Sequence, residues 1–143
     1  MDIKFLLQSY LDFLKEEGYV AKVVDYEGNN YISIKYEGDE YRLFIEKDPI
    51  EKDIFYFRLL LIANWHCESN DLLLKAYKEA SIINMFLKVG KISIYENAIA
   101  FITDIILDQA SDGKKYIKNM LVIIKEAILS FKERTELSPK SGK

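Results

Sequence analysis

The sequence holds one cysteine, one histidine, one tryptophan and two prolines in 143 residues. A single cysteine excludes an internal disulfide framework and a multi-cysteine zinc site. The six glycines (Gly18, Gly28, Gly38, Gly90, Gly113 and Gly142) are scattered. None of them falls in the spacing of a P-loop or a dinucleotide fingerprint, so no cofactor is expected. Charge of one sign is also lacking. The formal net charge is −3, which argues against nucleic acid as the main partner. Long apolar runs are absent. The densest, Leu59 to Ala63, is bounded by Arg58 and Asn64, far short of the ~20 residues that a spanning helix needs. The apolar stretch after Met1 is too short for a signal-peptide core, and no small-residue cleavage site follows it. The expectation is a cytoplasmic protein with no membrane partner.

What is present describes a globular chain. Hydrophobic residues make up 50% and charged residues 30%, a balance that excludes wholesale disorder. At this length roughly 68–70% of the unfolded surface is buried on folding, enough for a core without staples. The expectation is one α+β domain over residues 1–135, followed by a disordered tail over 136–143.

Periodicity places the elements. Ile3, Leu6, Leu7, Tyr10, Leu11, Phe13 and Leu14 form one stripe at helical spacing, and Gly18 follows as a helix end. The pattern then alternates over Tyr19–Tyr26, Tyr31–Tyr36 and Tyr41–Glu46. The connectors are Glu27-Gly28-Asn29-Asn30 and Glu37-Gly38-Asp39-Glu40, polar and glycine-containing as hairpins require. A charged loop around Pro49 precedes a strand over 54–62 that is apolar on both faces, as expected at the centre of a sheet or under a second layer.

Ser69 can cap a second helix with Asp71 in its first turn. Its stripe is Leu72, Leu73, Ala76, Tyr77, Ala80, Ile83 and Leu87, and Gly90 ends it. Strands over 92–95 and 98–107 join at Glu96-Asn97. A third helix over about 114–134 buries Ile117, Met120, Leu121, Ile124, Ala127, Ile128 and Phe131. The order is α-β-β-β-β-α-β-β-α, an antiparallel sheet (meander plus hairpin) with three helices. Strands and helices do not alternate one to one, which excludes a doubly wound nucleotide fold.

One stretch carries a resemblance. Ala80-Ser81-Ile82-Ile83-Asn84, then Val89-Gly90-Lys91-Ile92-Ser93-Ile94-Tyr95, then Ala98-Ile99-Ala100-Phe101 resembles a helix ending in asparagine and a glycine-lysine entry into a hairpin. With the element order over residues 2–132, this resembles the YbjN-type and type III secretion chaperone-like superfamily. The resemblance implies a non-enzymatic binding protein, often homodimeric, with no catalytic signature. Some members hold an unfolded stretch of a partner polypeptide.

The residues themselves offer little catalytic chemistry. Trp65-His66-Cys67 is the one place where reactive side chains adjoin. Neighbours in a strand point to opposite faces, so His66 and Cys67 do not make a nucleophile pair. The acidic clusters Glu37-Asp39-Glu40 and Asp48-Glu51-Asp53 lack the spacing of a calcium loop, and turns are where exposed acids ordinarily sit. Asp104 interrupts an apolar strand, either facing solvent or pairing with a lysine of the third helix. Tyr26, Tyr31, Tyr36 and Tyr41 flank the turns, as a recognition surface or as ordinary strand residues. Charge is divided along the chain. Residues 1–113 carry 12 basic and 20 acidic side chains, a balance of −8, and residues 114–143 carry 8 and 3, a balance of +5. Lys115, Lys118, Lys125 and Lys132 form a solvated face that complements the acidic body. No enzyme activity and no metal are expected.

The apolar surface exceeds what one intrachain core needs, and such excess marks an interaction site. The expected contact residues are Phe55, Phe57, Ile82 and Phe86, on the two-faced strand and the second helix. The function expected is protein binding, by a homodimer that also takes an unidentified polypeptide. The alternative is a small-molecule-binding regulatory domain with a pocket between sheet and helices. A pocket of ~300 Å³ or more with convergent polar groups would favour that alternative.

Overall fold

The first helix forms where its stripe predicts, and its ends show why. In the computed structural model of the chain, which describes residues 2–51, 53–63, 69–87, 90–95 and 98–135, α1 spans Ile3–Glu16. The Asp2 carboxylate accepts from the Lys4 N–H at 3.2 Å and caps the first turn. Gly18 follows at φ +91°, a conformation glycine adopts without steric cost. Leu6, Leu7, Tyr10, Leu11 and Leu14 are buried.

The meander consists of β1 (Val20–Tyr26), β2 (Asn29–Tyr36) and β3 (Asp39–Lys47). Its connectors are shorter than the four residues expected. Only Glu27-Gly28 and Glu37-Gly38 lie between strands, and all four have positive φ: 51° and 84°, then 48° and 87°. Two successive positive φ values make a type I′ turn, whose twist matches that of the flanking strands. The closing pairs are Tyr26 with Asn29 and Tyr36 with Asp39. Asn29, Asn30, Asp39 and Glu40 therefore pair rather than loop.

The remaining strands are β4 (Phe55–Ala63), β5 (Gly90–Tyr95) and β6 (Ala98–Leu107). All six form one antiparallel sheet in the order β1-β2-β3-β4-β6-β5. The helices α2 (Asn70–Phe86) and α3 (Ile117–Thr135) complete the α+β order predicted from sequence. Ser69 caps α2 as expected, its Oγ accepting from the Leu72 N–H at 3.1 Å.

Two boundaries differ from expectation. Gly90 does not end α2, which stops at Phe86; it opens β5. The third helix does not begin at 114, because a 3-10 segment, Ala110–Tyr116, precedes it. Such turns are frequent at helix N-termini, and this one is closely packed. A Cβ at Gly113 would collide with the Tyr10 hydroxyl and lie 3.1 Å from the Phe57 ring. The Tyr10 hydroxyl donates to the Ala110 carbonyl.

The chain divides into two compact units, Met1–Leu59 with Asp104–Leu121 and Leu60–Thr103 with Val122–Lys143. In the first, α1 packs on the meander, and Ile32, Ile34, Tyr41, Leu43 and Ile45 of the meander and Phe55, Phe57 and Leu59 of β4 are buried. The Tyr10 and Phe57 rings lie 5.3 Å apart. In the second, the buried set includes Ala76, Ala80 and Ile83 of α2, Ile92, Phe101, and Ile124, Ala127, Ile128 and Phe131 of α3. The Phe101 and Phe131 rings meet edge to face at 5.8 Å. Among the described residues no helix is long and apolar enough to cross a membrane.

Candidate functional site

The expected contact surface separates into core and exterior. Strand β4 buries its odd-numbered side chains, Phe55 through Ala63, and exposes Tyr56, Arg58 and Ile62. Phe57 is 1% exposed and packs on Tyr10. Phe55 and Phe57 are thus core residues of the first unit and are not available to a partner. Both faces of β4 are apolar in sequence, and register alone decides which one the chain uses. Ile82 is half-buried, whereas Phe86 is 76% exposed.

On α2, Ala76, Ala80 and Ile83 are the buried residues, with Leu72, Leu73 and Ile82 half-buried. Leu74, Tyr77, Met85 and Phe86 are left exposed. Tyr77 belongs to this exposed group and not to the buried stripe. Beside it runs a cleft of about 460 Å³ lined by Tyr77, Ser81, Asn84, Met85 and Ile92–Ile94. Asn84 closes one wall. Its Nδ2 donates to the Ile92 carbonyl at 2.9 Å, and its Oδ1 accepts from the Ile92 N–H at 2.7 Å. The amide thus serves Ile92 as a neighbouring strand would. Ile92 stands opposite Phe101 of β6 in the register, a non-hydrogen-bonded pair, since both backbone groups of Ile92 point outward to Asn84.

Asp104 is exposed and pairs with a strand neighbour, not with a lysine of the third helix. Arg58 Nε donates to Asp104 Oδ1 at 2.7 Å and Nη2 donates to Oδ2 at 3.0 Å. This contact raises the pKa of Arg58 above its ordinary value. Of the acidic residues near the turns, Asp48 is committed to its own loop. Asp48 Oδ1 accepts from the Ile50 and Glu51 N–H groups, both at 2.8 Å, and Oδ2 accepts from the Tyr56 hydroxyl. The Tyr56 hydrogen bond, then the two backbone donors, hold the Asp48 carboxyl below the usual aspartate range. Among the described residues no group of three or more histidine, cysteine or acidic side chains is placed to hold a metal ion. Trp65, His66 and Cys67 lie outside the described residues, as do the Glu96-Asn97 turn and residues 136–143.

The four turn tyrosines do not share a surface. Tyr31 stacks against Phe44 at 5.1 Å, with the Arg42 guanidinium 5.3 Å over its ring. Tyr36 and Tyr41 meet edge to face at 6.0 Å. Strand alternation puts these two groups on opposite faces of the meander. Tyr41 is fully buried, and burial pushes its pKa up. On α3, Lys118 pairs with Glu17 at 3.5 Å, which fits a basic face complementing acidic neighbours.

A solved structure with a similar fold aligns over almost the whole chain. It is the crystal structure of YbjN from E. coli, described there as a proposed transcription regulator. The alignment covers 94% of this chain and 96% of that one, with a TM-score of 0.58 and 11% sequence identity. The chain has a YbjN-like fold. At that identity the YbjN likeness concerns architecture. No protein-family model and no curated protein matches the chain.

The YbjN-like order of elements was legible in sequence, but three features of the site were not. Asn84 was part of the motif that carried the resemblance, with no indication that it bonds to β5. Arg58 stands in the sequence only as the boundary of an apolar run, with nothing to point to Asp104. The exposure of Leu74 and Tyr77 depends on how few α2 residues the core takes up.

Proposed function

We propose that this chain is a non-enzymatic binding domain that works as a homodimer and takes a partner polypeptide on the exposed face of α2. The observation that carries this reading is the apolar surface that α2 leaves uncovered: Leu74, Tyr77, Met85 and Phe86. Exposed aromatic and methionine side chains are the residue types that interface cores favour. The catalytic alternatives have little behind them, since the perturbed acid Asp48 is committed to its own loop. YbjN is described as a proposed transcription regulator. Polypeptide binding accommodates a regulatory role without direct contact with nucleic acid.

The test is a binding comparison. Partners captured by the wild-type chain from its host are identified by mass spectrometry, purified and titrated against the wild type and against Met85→Asp/Phe86→Asp. Affinity should fall at least tenfold in the double variant while its unfolding transition is retained. Equal affinity would place the partner elsewhere.

The cleft beside α2 favours a second reading, a small-molecule site, because about 460 Å³ is ample for a metabolite. Its one amide, Asn84, is already used by Ile92. The polar groups left for a ligand are the hydroxyls of Tyr77, Ser81 and Ser93, which supports the polypeptide reading more strongly.

A further inference from the structure

The sheet has two outer strands, β1 and β5, and they are finished differently. On β5, the Asn84 amide occupies both outward backbone groups of Ile92. On β1 nothing comparable is found among the described residues. The type I′ turn at Glu27-Gly28 makes Tyr26 and Asn29 a hydrogen-bonded pair. Alternation then directs the backbone of Val20, Lys22, Val24 and Tyr26 toward β2, and that of Ala21, Val23 and Asp25 outward. An outer strand with a free row of donors and acceptors is a template for another strand, and soluble proteins ordinarily block it.

The side chains of β1 are unusual for such a strand. Val20 is 68% exposed, Val23 40% and Tyr26 64%. Their positions have a symmetry. When two copies of β1 run antiparallel about a twofold axis at Val23, Val23 faces Val23 of the second copy, and Val20 faces its Tyr26. Ala21 then faces Asp25, and Lys22 faces Val24. The outward residues Ala21, Val23 and Asp25 are the ones brought into hydrogen-bonded positions. Each pair can therefore exchange both its N–H and its C=O. Every exposed apolar side chain of the strand meets another, and no like charges stand directly opposite.

We infer that β1 is the homodimer contact, pairing antiparallel with β1 of a second copy about Val23. This rests on the homodimer reading above and names its surface; the partner face on α2 is separate. The meanders of the two copies join as β3-β2-β1-β1-β2-β3. An isologous contact of this kind is self-complementary by construction. It is small, so the dimer is weak and depends on concentration. The closest like-charge approach is diagonal, Lys22 to Lys22, and salt should therefore tighten the dimer.

Sedimentation equilibrium from micromolar to several hundred micromolar chain tests this. The wild type should dimerise, more tightly at higher salt. Val23→Pro removes the donor on the axis, at an outward position where an edge strand tolerates proline. Val23→Lys places two cations on the axis and needs no change of backbone. Each should weaken dimerisation at least tenfold, with the unfolding midpoint kept in Val23→Lys even where Val23→Pro folds poorly. Phe86→Asp should dimerise like the wild type. Amide exchange at Val23 should slow as wild-type concentration rises. If Val23→Lys dimerises as tightly as the wild type, the β1 contact is wrong and the homodimer reading stands. If the wild type is monomeric throughout, both fail.

Discussion

Arg58 on β4 and Asp104 on β6 are joined by two parallel hydrogen bonds, Nε to Oδ1 at 2.7 Å and Nη2 to Oδ2 at 3.0 Å. The side chains are 48% and 42% exposed, so solvent screens most of the Coulomb attraction. The fork geometry fixes the relative position of two neighbouring strands more than it adds stability. A double-mutant cycle with Arg58→Ala and Asp104→Ala in urea should give a coupling of about 0.2–1 kcal/mol, falling as salt rises. Arg58→Lys should lose most of it, because an ammonium cannot make the fork. A coupling near zero would show that solvent satisfies both groups equally well.

Phe57 and Phe86 should respond in opposite ways to the same change. Phe57 is 1% exposed against Tyr10. Truncating a buried phenylalanine costs about 3–5 kcal/mol, and an unpaired carboxylate there adds to it. Phe57→Asp should therefore lose the cooperative unfolding transition. Phe86, exposed at the end of α2, should tolerate aspartate within about 0.5 kcal/mol. Thermal melts of the two variants, followed by circular dichroism, decide this directly.

Asn84 stands in for a strand at Ile92. Asn84→Ala leaves one buried donor and one buried acceptor unmade, at a cost of about 1–3 kcal/mol. Exchange of the Ile92 amide should accelerate markedly. Asn84→Asp keeps an acceptor for the Ile92 N–H but sets a carboxylate against its carbonyl. It should lower stability while leaving that amide protected. Exchange measured residue by residue by NMR separates the two, and an unchanged Ile92 rate in Asn84→Ala would rule out the bracing role.

The Asp48–Tyr56 contact carries a pH dependence whose sign is fixed. The folded carboxyl is held below its unfolded value, mainly by the Tyr56 hydroxyl and then by the Glu51 and Ile50 N–H groups. Its contribution is complete above the unfolded aspartate pKa of about 3.9 and is lost as pH falls through the lower folded value. Tyr56→Phe should move the Asp48 titration, read from its carboxyl carbon by NMR, upward toward the ordinary range. The backbone donors should keep part of the depression.

Legibility in the sequence followed the range of the interactions. Gly18 just past α1 and the glycines Gly28 and Gly38 are local signals, and each lies at or beside the chain reversal expected of it, although the two turns are shorter than expected. The buried stripe of α3, from Ile117 to Phe131, was equally plain, because one helix face carries it whole. The face that β4 buries was not readable, since Phe55 and Tyr56 are both acceptable inside a sheet and the choice lies with its neighbours. The 3-10 segment before α3 brings Gly113 close to Tyr10 and Phe57, residues far apart in the chain. Asn84 escaped for the same reason: an asparagine near a helix end looks like a cap, and only the arrival of Ile92 gives it another partner.

The two-residue turns also bear on the order in which the molecule assembles. Joining β1, β2 and β3 closes only short stretches of chain, so little entropy is lost before pairing begins to compensate. Setting β6 beside β4 must instead wait for all of α2 and β5 to be drawn in. The meander is therefore the natural nucleus, and substitutions in its turns should slow refolding while leaving the unfolding rate nearly unchanged. Gly38→Ala, which strains a turn at φ +87°, and Asn84→Ala, which acts on β5, offer a matched pair for stopped-flow kinetics. The first should act mainly on the folding limb of the chevron and the second on the unfolding limb.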